Sequence, residues 1–269
     1  TANDSYRAFA QPLENPEDGV GLPGSHTVVN NPANALASPF GWHDTNGQTG
    51  AEFTDTRGNN VNAQEDANAD NAGGARPAGG AGNNYNFGFN PNQTPANNQD
   101  EAIVNLFYWN NLIHDVLYQH GFTEAAGNFQ NNVYGRGGVG GDQVEADAQD
   151  GSGTNNANFS TPPDGGSGRM QMYVWTGANP DRDSDNDNGV IAHEYFHGVS
   201  TRLVGGPAVN TALFGTQSGG MGEGWGDYNG LYFTALATDT AAGSYAIGNY
   251  VINQPISGDG GETYRPVVA

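Results

Sequence analysis

The chain has 269 residues, which suits one large domain or two lobes that share a core. Its formal net charge is -21, from 29 acidic and eight basic residues, and such an acidic surface disfavours nucleic acid and anionic membranes as partners. Cys and Lys are both absent, which excludes disulfides, thiolate nucleophiles, cysteine-bound zinc and Schiff-base chemistry.

The first hundred or so residues are rich in Asn, Gly, Pro and Ala and predict short strands joined by long ordered loops. The opening TANDSYRAFAQPLENPEDG has neither a basic start nor an apolar stretch, so we expect a mature N-terminus rather than a signal peptide. Residues 72–99 contain aromatic side chains and predict a packed loop, with disorder as the alternative for 72–82. No run approaches roughly 18 apolar residues, so no membrane span is expected.

The first helix is predicted over residues 98–122, where apolar side chains recur at the helical period. Gly121 is the predicted C-cap. The helix contains His114 and Asp115, for which we expect a buried, hydrogen-bonded histidine, a second polar site being the alternative.

Further elements follow in the second half of the chain. Residues 135–159 predict strands interrupted by glycines, and 168–175 predicts a single strand. Two more helices are predicted at about 188–203 and 221–238. Strands mostly precede helices in this order, which indicates an α+β fold rather than a βαβ winding.

The sequence IAHEYFHGVS (191–200) places two histidines four residues apart with a glutamate beside the first. In a helix, His193 and His197 lie one turn apart on one face, so both imidazoles can reach a single metal ion. Glu194 points about 100° around the helix, from where its carboxylate can take a proton from water without binding the metal. This pattern is typical of zinc hydrolases; the alternative is an ordinary helix with two incidental histidines.

A catalytic zinc usually has three protein ligands, so a third is required. Glu223 and Asp227 are four residues apart and can share a helix face. Glu223 can bind the metal, while Asp227 can accept the second ring N–H of a histidine ligand and fix its tautomer. Alternating glycines in this stretch indicate two closely packed backbones, as helices converging on one ion would have; they are Gly222, Gly224 and Gly226. A glycine-rich turn before a helix starting near Trp225 is the alternative.

Six stretches together resemble the fungalysin family of extracellular metallopeptidases, within the thermolysin-like group whose third zinc ligand is a glutamate. They run in order through nearly the whole chain: ASPFGWHDTNG (37–47), TRGNNVNAQED (56–66), FYWNNLIHDVLYQHGF (107–122), NNANFSTPPDG (155–165), DNDNGVIAHEYFHGVSTRLVGG (185–206) and GEGWGDY (222–228). The His-Glu-x-x-His motif alone is moderately specific, whereas its combination with GEGWGD and NNANFSTPPDG is strongly so.

The resemblance implies a secreted, extracellular zinc endopeptidase with a thermolysin-like fold and protein or peptide substrates. The implied zinc ligands are His193, His197 and Glu223. Glu194 is implied as the general base, and Asp227 as the carboxylate that orients a histidine ligand. The resemblance also implies that NNANF is an edge strand that binds a peptide by backbone pairing, with Asn156 and Ala157 nearest the cleft. If the resemblance is set aside, the alternative interpretation of NNANF is an ordinary turn and strand.

The resemblance further implies two lobes. Residues 1–220 would form a strand- and loop-rich N-terminal lobe, in which the helix 188–203 floors the cleft. Residues 221–269 would begin a helical C-terminal lobe. Fungalysin-like catalytic domains continue well beyond this length, so we expect the second lobe to be incomplete here, with a separate C-terminal piece and a cleaved propeptide as partners of a monomer.

Two departures from the family pattern stand out. The family usually has Ser where this chain has Gly226, a small-for-small difference from which we expect little effect. The later histidine that stabilises the oxyanion in the family has no counterpart among the remaining histidines, which are His26, His43, His114 and His120.

The acids before the second predicted helix allow several interpretations. Asp183, Asp185 and Asp187 resemble the start of an EF-hand loop, and Glu194 falls at its twelfth position. The required glycine is Gly189, one place too late, and Glu194 lies inside the predicted helix, so we reject an EF-hand. A calcium site of another type, in addition to the zinc site, is therefore kept as an alternative for these acids. The simpler interpretation is that these acids complement the helix dipole and that Asp187 or Asn188 is its N-cap.

Two classes of function compete. The first is the zinc endopeptidase described above. The second is a non-catalytic fragment or binding module folded around a structural zinc, which would normally have four protein ligands rather than the three evident here. A metallo-aminopeptidase is an intermediate alternative, for which the sequence contains no clear group to bind a free α-amine.

Overall fold

A computed structural model describes residues 4–18, 26–253 and 263–264. The helices are α1 (Gln99–Gln119), α2 (Asn188–Leu203) and α3 (Thr216–Thr234). The strands are β1 (Ser5–Phe9), β2 (His26–Asn30), β3 (Val61–Glu65), β4 (Asn84–Tyr85), β5 (Val144–Ala148), β6 (Ala157–Ser160), β7 (Arg169–Met172), β8 (Val174–Trp175), β9 (Arg182–Asp183), β10 (Tyr245–Ala246) and β11 (Thr263–Tyr264). This mixture of helices and sheets confirms the predicted α+β class.

The largest sheet among the described residues has the strand order β3-β5-β7-β6. β3 and β5 are parallel, as are β5 and β7, whereas the edge strand β6 is antiparallel to β7. Helix α1 connects β3 to β5 and packs on both. This βαβ crossover differs from the strand-then-helix order that the sequence indicates, because a long segment that includes β4 separates β3 from α1 along the chain.

The core is built around α1, which is buried on nearly all sides. Its side chains pack against β1, β3 and β5, and the aromatic cluster at its centre comprises Tyr6, Trp42, Tyr85, Phe107 and Trp109. The helix begins one residue later and ends three residues earlier than predicted. The C-cap is His120, and Gly121, the predicted C-cap, follows it with a φ of +101°, which favours glycine.

Helix α2 has the predicted bounds, and its N-terminus is held by two neighbouring side chains. Asp187 is the N-cap, and its carboxylate accepts the backbone N–H of Val190 at 3.2 Å. The amide of Asn188 donates to the carbonyls of Phe9 and Leu13, which ties the start of α2 to the chain around β1. The first turn of α2 is therefore fixed in the core before the histidines are reached.

Other predicted bounds are wrong. Helix α3 begins five residues before and ends four residues before the predicted 221–238. Its glycines give little local helix signal, so packing against α2 decides its extent. Residues 168–175 form two strands rather than one, because β7 pairs with β5 and β6 whereas β8 pairs with β9.

Residues 72–82 form a packed loop and not the disordered alternative. The backbone N–H of Glu65 donates to the carbonyl of Ala75 at 3.0 Å, and the guanidinium of Arg76 donates to Asn62. The predicted lobe boundary after residue 220 falls inside α3, and the division into 1–220 and 221–269 stays a prediction. None of the helices in the described part of the chain is long and apolar enough to cross a bilayer.

Candidate active site

Helix α2 presents two imidazole rings to the same point in space. The Nε2 atoms of His193 and His197 are 3.0 Å apart, and the rings are nearly perpendicular. Helix α3 brings a carboxylate to the same point: Oε2 of Glu223 lies 3.2 Å from Nε2 of His193 and 3.5 Å from that of His197. Three donor atoms from two helices thus form a small triangle.

The triangle fits a zinc ion. Zinc–nitrogen bonds of about 2.0–2.1 Å in tetrahedral geometry place neighbouring ligand atoms about 3.3 Å apart. The observed separations of 3.0, 3.2 and 3.5 Å bracket that value. Two imidazoles and one carboxylate are also a donor set that zinc accepts in hydrolases.

A second carboxylate on α3 contacts the far side of one ring. Oδ1 of Asp227 lies 2.8 Å from Nδ1 of His193. The N–H at Nδ1 can donate to this carboxylate, which leaves the lone pair at Nε2 directed at the triangle. The structure therefore brings together the three predicted zinc ligands and Asp227. Asp227 contacts the Nδ1 side of the His193 ring, and Glu223 lies near its Nε2 side.

Glu194 is buried beside this group. The residue is 6% exposed, and Oε2 has no hydrogen-bond partner in the described part of the chain. Burial raises the pKa of Glu194 to about 7, an effect that His193 opposes and Glu223 adds to. A buried carboxyl with an unoccupied oxygen and a raised pKa is suited to accept and return a proton.

The two histidines have opposite electrostatic surroundings in the metal-free chain. Burial acts to lower the pKa of His193, but the carboxylates of Asp227, Glu194 and Glu223 outweigh it and the net pKa is raised. For His197, burial and the neighbouring His193 lower the pKa. The ring at 197 is therefore readily neutral, the form that binds a metal ion.

The glycines of α3 have different surroundings, so the predicted close packing holds for one of the three. An ideal Cβ at Gly226 would lie 2.8 Å from Nδ1 of His193, whereas one at Gly224 would meet nothing within 4 Å. At Gly222 the nearest atom would be an ordinary contact at 3.7 Å. A side chain at position 226 would thus require the ring of His193 or the helix to shift, and the expectation that Ser and Gly differ little there stays a prediction.

The edge strand β6 lies beside α2. Phe159 of β6 packs with Phe129 near Gly198, where an added Cβ would lie 2.7 Å from the ring of Phe159. Ala157 is buried and is the first residue of β6, and Asn156 precedes it in an exposed position. Within the described residues β6 pairs only with β7, so its other edge is available to an extended chain.

The acids before α2 are buried in roles of their own. Asp183 accepts the backbone N–H of Asp185, and Asp187 caps α2. In the described chain, no three of these acids bring carboxylate oxygens close enough together to hold one ion. Asp185 and Asp187 each have one buried oxygen without a hydrogen-bond partner there, and calcium stays a prediction. A group that does lie close enough comprises Asp66, Asp147 and Asp150, which are hydrogen-bonded to their own surroundings and paired in part with Arg169.

Sequence reasoning missed one side chain that supports the site. Arg202, in the last turn of α2, is 1% exposed and lies 3.0 Å from the carboxylate of Asp142. Its guanidinium also donates to the carbonyls of Gly127, Pro162 and Gly166. An arginine in a last helical turn ordinarily complements the dipole at the surface, so nothing in the sequence signals this burial.

The remaining histidines lie in contacts elsewhere or at the surface. His114 is buried with Nδ1 2.9 Å from Asp115, as predicted. His43 contacts Tyr6, and His26 lies 3.2 Å from Glu101. His120 is exposed after the end of α1.

The sequence model of the fungalysin metallopeptidase family, M36, matches residues 5–261. The chain belongs to this family. Fungalysin membership implies a metal cofactor, and the α+β structure is consistent with a thermolysin-like fold.

Curated fungalysin relatives are similar over almost all of the chain. Extracellular metalloproteinase 2 of Trichophyton tonsurans is 43% identical, with 94% of this chain and 39% of that protein covered. Extracellular metalloproteinase 5 of the same organism is 45% identical, with 93% and 40% covered. Extracellular metalloproteinase 2 of Arthroderma benhamiae is 43% identical, with 94% and 39% covered. The chain thus spans about two fifths of the length of these relatives.

Proposed function

We propose that this chain is the zinc-binding part of a secreted endopeptidase that hydrolyses peptide bonds of extracellular proteins. The observation that carries the proposal is the triangle of donor atoms from His193, His197 and Glu223, with edges of 3.0 to 3.5 Å, next to the buried carboxyl of Glu194. Secretion is supported by the relatives, which are named extracellular metalloproteinases.

The residues divide the chemistry among them. A zinc ion held by the three donors would polarise the scissile carbonyl and lower the pKa of a water molecule. Glu194 takes the proton from the attacking water at Oε2 and later returns it to the nitrogen of the leaving amine. Asp227 holds the proton at Nδ1 of His193, which keeps Nε2 free to bind the metal.

The substrate would be an extended peptide. We propose that it pairs with the open edge of β6, with Asn156 and Ala157 nearest the scissile bond, by adding a further strand to the sheet. Pairing through backbone groups holds a peptide by its main chain, so it suits an endopeptidase that acts on varied sequences.

The exposed position of Glu223 favours catalysis over a purely structural zinc. The Glu223 side chain is 64% exposed, whereas a structural zinc site is closed by four protein ligands. The third ligand thus lies where solvent and substrate have access. The two alternative functions are a binding module that holds zinc and an aminopeptidase, and the experiment below distinguishes both from an endopeptidase.

The decisive experiment is casein hydrolysis by the 269-residue chain, with and without phenanthroline, followed by zinc addition. We expect hydrolysis that the chelator abolishes and zinc restores. Cleavage of only amino-terminal residues from peptides would replace the endopeptidase by an aminopeptidase. One bound zinc per chain without hydrolysis would indicate a zinc-bearing module, and a chain that binds no zinc would overturn the proposal.

A further inference from the structure

The ring of Phe159 lies between the edge strand β6 and the helix α2. A Cβ at Gly198 would lie 2.7 Å from Cε1 of Phe159 and 2.8 Å from two atoms of the Phe129 ring, so both rings lie directly on the helix backbone. The other side of the ring meets a second glycine, because a Cβ at Gly168, just before β7, would lie 2.7 Å from Cε1 and Cζ of Phe159. The size of this ring therefore determines how closely the strand approaches the helix.

The contact lies next to both parts of the proposed active site. Gly198 directly follows His197, a candidate zinc ligand. Phe159 and Ala157 point to the same face of β6, because side chains alternate along a strand. A change in the distance between the ring and the helix would therefore move the backbone of Ala157 relative to Nε2 of His197.

The chain that leaves β6 is tied to α2 one helical turn further on. Nε of Arg202 donates to the carbonyl of Pro162 at 2.8 Å. Gly198 and Arg202 are four residues apart, so they share a face of the helix. Packing at Phe159 and a hydrogen bond beyond the end of β6 thus leave the strand little freedom to shift against the helix.

We propose that Phe159 is a positioning residue: its ring sets the distance between the substrate edge of β6 and the zinc triangle. The proposal rests on the zinc peptidase proposed above, with a peptide paired to β6. The scissile carbonyl of such a peptide has to reach the metal while its neighbours pair with the strand. An error of about 1 Å in such a geometry can cost about 10²-fold in rate, although Phe159 itself would touch neither the metal nor the reacting atoms.

The test compares two metal-binding inhibitors that differ in their contact with β6. Acetohydroxamate can bind the metal alone, whereas a peptide hydroxamate can bind the metal and also pair with the strand. Titration of the cobalt-substituted chain, followed by its absorption spectrum, measures both affinities without turnover. We expect the wild type to bind the peptide compound more tightly, and Phe159→Leu to lose about tenfold of that affinity. Its affinities for acetohydroxamate and for zinc should equal those of the wild type.

Phe107→Leu is the matched control. Its ring is fully buried and contacts aromatic rings outside both α2 and β6, which are Tyr6, Trp42, His43 and Tyr85. Both substitutions remove part of a packed ring and should lower the folding equilibrium constant by about tenfold, which urea unfolding in EDTA measures. Only Phe159→Leu should change the ratio of the two hydroxamate affinities, which a purely structural role would leave unaltered.

If Phe159→Leu does not fold, Phe159→Met takes its place, because methionine is flexible and fills irregular gaps. It should show the same selective loss of peptide affinity. An unchanged ratio in the variant that folds, or an equal change in Phe107→Leu, would overturn the proposal.

The wild type separates this proposal from the proposed function. A wild type that binds acetohydroxamate but gains nothing from the peptide would overturn the role of β6, and with it that of Phe159, while leaving the zinc site intact. A wild-type chain that binds no zinc would reject the proposed function and this proposal together.

Discussion

Nδ1 of His193 and Oδ1 of Asp227 are 2.8 Å apart although 34 residues separate them in the sequence. The contact joins α2 to α3 at the point where the zinc triangle lies. It also decides which ring nitrogen carries the proton in the neutral imidazole, since Asp227 can only accept a hydrogen bond when ionised.

Asp227→Asn should weaken zinc binding while preserving the fold. The amide has nearly the same shape, but it lacks the negative charge that stabilises the N–H at Nδ1 and raises the basicity of Nε2. We expect a 10- to 100-fold loss of zinc affinity, about the usual effect of such partners. Chelator competition measures it, and Asp100→Asn, at an exposed position of α1, is the control. Unchanged affinity would show that Asp227 does not orient His193.

Glu194→Gln should abolish hydrolysis while leaving zinc bound. Glutamine keeps the volume and can be buried without charge, but it cannot accept the proton of water. Removal of the general base should lower kcat by at least about 10²- to 10⁴-fold. Hydrolysis of casein or a peptide tests the loss of activity, and the zinc content of the same sample tests whether the metal stays bound. Retained hydrolysis would contradict the role of Glu194, and loss of zinc would show that Glu194 supports the metal instead.

Stability should fall as the pH rises, because two buried carboxyls lie close to the start of α2: Asp187, its N-cap, and Glu14, from the segment after β1. Burial, with mutual repulsion, raises the pKa of Glu14 to about 9, and burial raises that of Asp187 to about 7. In the unfolded chain both lose their protons near pH 4. The folded chain therefore holds more protons than the unfolded chain above about pH 4, so this contribution to stability is lost between pH 4 and these folded pKa values.

The test is urea unfolding of the metal-free chain between pH 5 and 9. Glu14→Gln should unfold at higher urea than the wild type at the alkaline end, and its stability should depend less on pH. Glu17→Gln changes an exposed carboxylate in the same segment and should leave the pH dependence unaltered. Equal slopes for Glu14→Gln and the wild type would show that Glu14 is not the titrating group.

Arg202→Leu should destabilise the fold strongly. The change leaves Asp142 buried without its partner, and it leaves three carbonyl oxygens without their donors. Breaking a buried ion pair from one side costs about 3–5 kcal/mol of unfolding free energy. Arg57→Ala, which removes a partly exposed ion pair with Asp55, should cost about 1 kcal/mol or less. A loss for Arg202→Leu as small as for Arg57→Ala would contradict the supporting role of Arg202.

Local signals predicted α2 well and α3 poorly. In α2, an N-cap at Asp187 and a regular apolar period both lie in the local sequence, and the predicted bounds agree with the structure. In α3, glycine is frequent and neither end has a side-chain cap, so local preference does not define the ends. Contact with α2 supplies the missing stability, and that contact is not visible along the chain.

The sequence by itself determined which side chains can share a helix face, because a spacing of four residues is one helical turn wherever the helix lies. This covers His193 with His197 on α2, and Glu223 with Asp227 on α3. Only the tertiary structure decided how closely the two helices approach, how deeply Glu194 is buried, and that Arg202 anchors the end of α2 in the interior. Those features depend on atoms brought together from distant parts of the chain.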